Sequence, residues 1–234
     1  MKKLVLLTAI IPLLLISCSR EPIADFTISD SVVGVGETVY FTNRSIDAEG
    51  FEWDFGDGYK SNTYNASHSF DTDGLYTVSL KVNYNGHVDI ATISVSVIGA
   101  SLEVTVEEWF DPYIVPNISI ILYASIYDWE NPKTAPIVAE EYTNADGVAI
   151  FDHLAAQRYY LDIWGPNHNN YALALDDVGF IETPVLIPGA LTTFTAFVDY
   201  YPTVKKSVLS RFEAKAKSKL EATSGTHRSK ADKK

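Results

Sequence analysis

Cysteine is almost absent from this 234-residue chain, which has one, and one methionine, against 14 Tyr, 11 Phe and 4 Trp. A single Cys excludes an internal disulfide framework and a thiolate metal cluster, so any fold must be held by its core. Bases are scarce through the body: residues 21–202 hold five against 27 acids, a net charge of −22. Such a surface repels phosphate and speaks against a nucleic-acid partner. Walker loops, His-Glu-x-x-His pairs and Gly-x-Ser-x-Gly elbows are missing too, which removes the best-marked enzyme classes. The longest apolar run, Leu4–Ile16, is too short to span a bilayer as a stable helix.

That run follows Lys2 and Lys3, the pattern of a secretory signal, and it predicts that Met1–Ser17 is removed. Its end, Leu15-Ile16-Ser17-Cys18, resembles the bacterial lipobox. The resemblance implies lipidation of Cys18, a membrane anchor, residues 18–21 as a lipidated linker, and a Gram-negative envelope lipoprotein. An ordinary secreted chain with an incidental cysteine is the competing reading. Ser19 is not the aspartate associated with inner-membrane retention, so the outer membrane is the expected destination, with the cell surface preferred over the periplasmic face. Several acyl chains at about 0.8 kcal/mol per buried methylene make a durable anchor.

From residue 22 to residue 202 the apolar pattern has period two, broken every five to nine residues by Pro, Gly, Asn or Asp. The fold class predicted is all-β: two tandem antiparallel β-sandwiches, over 22–99 and 100–202, with no helix before residue 203. In the first, Val39/Phe41, Phe51/Trp53/Phe55, Tyr76/Val78/Leu80/Val82 and Ile93/Val95/Val97 each set bulky residues on one sheet face. The motif Trp53-Asp54-Phe55-Gly56-Asp57-Gly58, then Ser67-His68-Ser69-Phe70 and Gly74–Leu80, resembles the PKD domain, an immunoglobulin-like sandwich common on bacterial surfaces. Physically these residues read as scaffold: Trp53 and Phe55 inward, Gly56 and Gly58 in positive-φ turn positions, Asp57 accepting turn amides. Asp54, Asp57, Asp71 and Asp73 offer hard oxygens for calcium, but their spacing does not make an EF-hand loop. Turn chemistry and a calcium site both stand as readings. No other cofactor is implied.

The second segment predicts strands at Leu102–Val106, Asn117–Ile126, Ile137–Tyr142, Val148–Asp152, Tyr159–Trp164, Gly179–Ile187 and Leu191–Tyr200, with a hairpin turn at Asn144–Gly147. Its succession of turns and strands resembles the carboxypeptidase-regulatory or transthyretin-like sandwich. Alternating strand directions would gather the loops 107–116, 144–147 and 165–174 at one end. That end would hold Trp109, Phe110, Tyr113, Trp164, His168, Asn169, Asn170 and Tyr171, leaving Trp129 at the other. Aromatic faces beside amide donors suit a glycan or a protein partner; the same aromatics could instead cap the core.

Beyond residue 202 the charge reverses, with ten bases and three acids in 203–234. Val204, Val208, Phe212, Ala216 and Leu220 recur every fourth residue, predicting a short basic helix and then a disordered tail. A fraying terminus and a contact with an anionic envelope surface are both open for it. The functional expectation is a non-enzymatic surface binding or adhesion module. A periplasm-facing structural lipoprotein that docks partner subunits is the second reading, and a hydrolase using His153 or His168 the third.

Overall fold

The computed structural model describes residues 20–173 and 179–200. The signal segment, Cys18 and the basic tail lie outside the described residues. The described chain is all-β, as the pattern predicts. Its first module runs β1 (Phe26–Ile28), β2 (Val32–Gly34), β3 (Thr38–Asn43), β4 (Gly50–Asp54), β5 (Lys60–Ser61), β6 (Ala66–Ser69), β7 (Gly74–Tyr84) and β8 (His87–Ile98). Two sheets, β1-β3-β6 and β2-β8-β7-β4-β5, face each other. Alternation along β3 and β7 buries Val39, Phe41, Val78, Leu80 and Val82 and leaves their neighbours outward. The long hairpin β7–β8 turns on Asn85 and Gly86, both at positive φ, which matches the right-handed twist of the strands.

Trp53 is wholly buried at the centre, edge-on to Phe26 at 5.0 Å and tilted against Phe41 at 5.7 Å. Its indole N–H donates to the Thr63 carbonyl at 2.9 Å, so no polar atom is stranded.

Gly99 alone separates β8 from β9 (Ala100–Glu108), which opens the second module. The elements after β9 are β10 (Ser119–Tyr123), α1 (Ile126–Glu130), β11 (Ala139–Tyr142), β12 (Val148–Leu154), β13 (Tyr160–Trp164), β14 (His168–Asn169), a 3-10 turn (Tyr171–Leu173), β15 (Ile181–Glu182) and β16 (Leu191–Tyr200). Strands order as β11-β10-β13-β14-β16-β9-β12 in one eight-stranded sheet, with β15 on β13. The sheet folds back on itself around Leu102, Val104, Val106, Ile118, Ile120, Leu122, Leu161, Ile163 and Val198.

Three expectations need correction. The sheets are not wholly antiparallel: β16 pairs with β9, and β2 with β8, in parallel. A helix does precede residue 203, since α1 replaces the end of the strand expected to reach Ile126. Ser125 caps it by accepting the Asp128 amide at 3.1 Å, while its hydroxyl donates to the Asp128 carboxylate at 2.6 Å. The strand expected over Gly179–Ile187 shrinks to Ile181–Glu182, because Pro184 and Pro188 have no N–H to give a ladder.

The modules abut closely. The His153 Nδ1 and Asp73 carboxylate are 2.7 Å apart, Ala155 packs on the first core, and the Gly189 amide donates to the Gly99 carbonyl at 2.8 Å. A Cβ on Gly99 would sit 2.8 Å from the His153 Cα, so only glycine fits there without a shift.

Two outcomes follow for stability. Trp53→Ala is expected to lower unfolding free energy by about 3–5 kcal/mol, read by denaturant titration of the full chain. Gly99→Val is expected to destabilise both modules' contact, read as greater protease sensitivity at the junction while the Trp53 environment, followed by fluorescence, stays native.

Candidate functional site

The aromatic-glycine motif of the first module is used up by its own turn. The Asp54 carboxylate accepts the Gly56 amide at 3.0 Å, and Asp57 accepts the Tyr59 amide at 3.0 Å. Gly56 has φ +84° and its Cβ position lies 2.8 Å from the Thr77 carbonyl, while Gly58 has φ +98°. The bond to the Gly56 amide, then the Lys60 ammonium, holds the Asp54 carboxyl below its ordinary pKa. His68 stacks on Phe55 at 4.2 Å and reaches the second Asp57 oxygen at 2.5 Å. Three of the four acids considered for calcium point to separate partners: Asp54 to Lys60, Asp57 to His68, Asp73 to His153. Among the described residues no three His, Cys, Asp or Glu side chains are grouped to hold a metal.

The second module has a more open end. Its three loops do meet there: the Val106 amide donates to the Gly147 carbonyl, a Cβ on Gly147 would lie 3.0 Å from the Ile114 Cβ, and the Tyr113 hydroxyl reaches His168 of the third loop. Trp164 pairs with Ser119 on one side and Asn169 on the other, which brings β14 to the same place. Tyr113, 46% exposed, has its hydroxyl 2.8 Å from His168 Nε2, across 55 residues of sequence. His168 in turn meets the Tyr200 ring edge-on at 5.4 Å, and Trp109 packs edge-on to Phe197 at 4.9 Å.

The predicted cluster therefore divides. Tyr113, Trp164, His168 and Trp109 are at least partly open to solvent. Phe110, Asn169, Asn170 and Tyr171 are buried. Asn170 is structural: its side-chain oxygen accepts the Ile163 amide at 2.9 Å and its nitrogen donates to the Gly179 carbonyl at 2.8 Å. Trp129 lies at the other end, its indole donating to the Leu161 carbonyl at 3.0 Å.

Sequence reading missed three members of this end: Glu108, Asp199 and Tyr200. Glu108 is 2% exposed because it takes an inward register on β9, after Leu102, Val104 and Val106. One of its oxygens accepts the Asp111 amide. Burial first, then the Glu108 charge, raises the Tyr113 phenol above its ordinary pKa. Burial pushes the His168 imidazole down, against a weaker upward pull from Glu108. A carboxylate at an apolar register was a readable signal, since such a position rarely holds an acid.

The His168 shift fixes a direction for pH. Its folded-state pKa lies below the unfolded value of about 6.5, so the unfolded chain takes up the proton first as pH falls. The stabilisation is fully present above that unfolded value and is lost as pH falls from it through the lower folded one. A denaturation midpoint that falls from pH 7.5 to 5 in the wild type should fall less in His168→Asn; equal slopes would remove His168 from the account.

Comparison with known proteins assigns the first module. Residues 19–97 match the family model described as PKD domain. Collagenase ColA of Clostridium perfringens is 38% identical over 86 residues, which are 34% of this chain and 8% of that protein. The chain thus spans under a tenth of that relative's length. Among solved structures, the PKD1 domain of Vibrio anguillarum Epp is 32% identical, covering 33% of this chain and 94% of that one, with a TM-score of 0.29. The PKD1 domain of the Vibrio cholerae metalloprotease PrtV is 28% identical over 33% of this chain and 98% of its own, with the same TM-score.

Proposed function

With residues 19–97 a PKD domain, we propose that this chain is a non-enzymatic binding lipoprotein of the bacterial cell envelope. It is held in the outer membrane by lipid on Cys18 and presents the open end of a transthyretin-like second module to a glycan or protein at the cell surface. PKD domains are typically accessory rather than catalytic, and the motif residues here are spent on their own turn. The observation that carries the reading is the convergence of three loops on partly exposed Tyr113, Trp164 and His168 at one end of the module, whereas the aromatics of its core, Phe151 and Tyr159, are buried. Aromatic rings of this kind bury area with little loss of side-chain freedom.

The histidines support a binding role over hydrolysis. His153 is engaged by Asp73 at the module junction and His168 by Tyr113 at the opposite end, so they do not form one catalytic group. The periplasm-facing alternative draws on the charge pattern: an acidic body followed by ten bases in 203–234 favours docking on an anionic envelope surface.

Protease treatment of intact cells carrying a tagged copy, with lysed cells as control, separates the two. Cleavage on intact cells is the expected result, and protection until lysis removes the surface reading. With partner binding in hand, Trp109→Ala combined with Trp164→Ala should weaken it at least tenfold; undiminished binding would move the site elsewhere.

A further inference from the structure

Glu108 poses a chemical question that the binding reading leaves open. Its second carboxylate oxygen is buried and has no hydrogen-bond partner among the described residues. A buried carboxylate is costly unless something positive or hydrogen-bonding meets it. Arg20, Lys60, Lys81 and Arg158 form their salt bridges with other acids, Asp47, Glu52, Asp54 and Glu182.

Around that oxygen the end of the second module is acidic and aromatic. Asp199 is buried next to Val198, which stands opposite Glu108 in the β9–β16 ladder. Tyr113 and Tyr200 are both near half exposed, and His168 bridges them, bonded to one ring's hydroxyl and edge-on to the other. The electron-rich faces of two phenols attract a cation, and a carboxylate behind them adds a charge-assisted hydrogen bond. Calcium is a poorer fit, since it takes six to eight oxygens and no three acids or histidines group here among the described residues. A neutral sugar brings no charge to offset Glu108.

We propose that this end of the second module, with Glu108 at its base and Tyr113, His168 and Tyr200 at its rim, receives the ammonium or guanidinium group of a Lys or Arg side chain from a partner protein. The proposal rests on the binding role above and names the chemistry of the partner. Entry of the cation requires the Tyr113–His168 hydrogen bond to open, a change confined to two partly exposed side chains. The net charge of −22 over residues 21–202 draws basic partners towards the module from a distance.

The test is NMR of the isotopically labelled full chain titrated with Nα-acetyl-arginine methylamide, Nα-acetyl-lysine methylamide, the neutral norleucine counterpart, calcium chloride and N-acetylglucosamine. Saturable shifts at Glu108, Tyr113, His168 and Tyr200 with the two cations, and none with norleucine, are expected. Glu108→Gln should weaken the apparent affinity at least tenfold, and Tyr113→Ala, which keeps the carboxylate, severalfold. The amides of the first module serve as the control that each variant is folded, and should Glu108→Gln fail it, the Tyr113→Ala and norleucine arms decide. Equal shifts from norleucine, no shift from either cation, or saturation by calcium alone overturns the assignment. Shifts from the sugar without shifts from the cations also overturn it but leave the binding role standing. Protection of the body in intact cells strikes the surface role and leaves the cation titration as it is.

Discussion

The parallel ladder between β9 and β16 is the constraint on which the second module turns. It pairs Leu191 with Ser101 at one end and Val198 with Glu108 at the other, joining the first and last strands of the module over eight positions. Because the two strands run the same way, both leave the junction and both arrive at the open end. At the start, Ser101 donates its amide to the Ala190 carbonyl, and Gly189 donates to Gly99. At the finish, the Trp109 amide donates to the Val198 carbonyl. An antiparallel β16 would have carried Tyr200 back to the junction, and Glu108 would have lost Asp199 and Tyr200 as neighbours.

The same ladder explains why an acid sits where an aliphatic residue is expected. Inward positions of β9 are fixed by the period of two, and the register leaves no freedom to turn Glu108 outward while Leu102, Val104 and Val106 stay in the core. The local turn shares in holding it: the Glu108 amide donates to the Tyr113 carbonyl, and Asp111 donates its amide to the carboxylate. This turn also sets Tyr113 where it meets His168. Backbone register and a short loop thus assemble a polar group, two phenols and an imidazole from segments far apart in sequence.

How much of this could be read in advance depends on the range of the interactions. Strands with strict alternation, such as β3 and β7, were legible because burial on one face is a local pattern, and the Trp53 motif was legible because its turn uses its own side chains. The meeting of the three loops was also foreseen, although the alternation of directions invoked for it does not hold throughout. What stayed hidden was long-range. Nothing near Leu191–Tyr200 states that its partner is β9, or that the pairing is parallel, so Tyr200 and Asp199 could not be assigned to the site. Asn170 looked like a surface amide and is instead a bracket between Ile163 and Gly179, because its partners are backbone groups. Helix α1 was missed although Ser125-x-x-Asp128 is a capping signal, the apolar run Ile118–Tyr123 having drawn the strand too far.

The junction bears on how such a site can be used. A single residue between β8 and β9 gives little length for independent motion, and the His153–Asp73 pair, the Ala155 contact and the Gly189–Gly99 bond oppose what remains. The open end of the second module lies at the far end of β9 from that junction, so the first module cannot fold over it without breaking these contacts. With the N-terminal lipid anchor proposed above, the first module would act as a stiff spacer holding the acidic, aromatic end away from the membrane. A flexible linker would let the strongly negative body sample many orientations, whereas a fixed one commits its charge to a single direction of approach. The short junction and the placement of Glu108 therefore serve one end: each makes the site depend on what reaches it from outside the molecule.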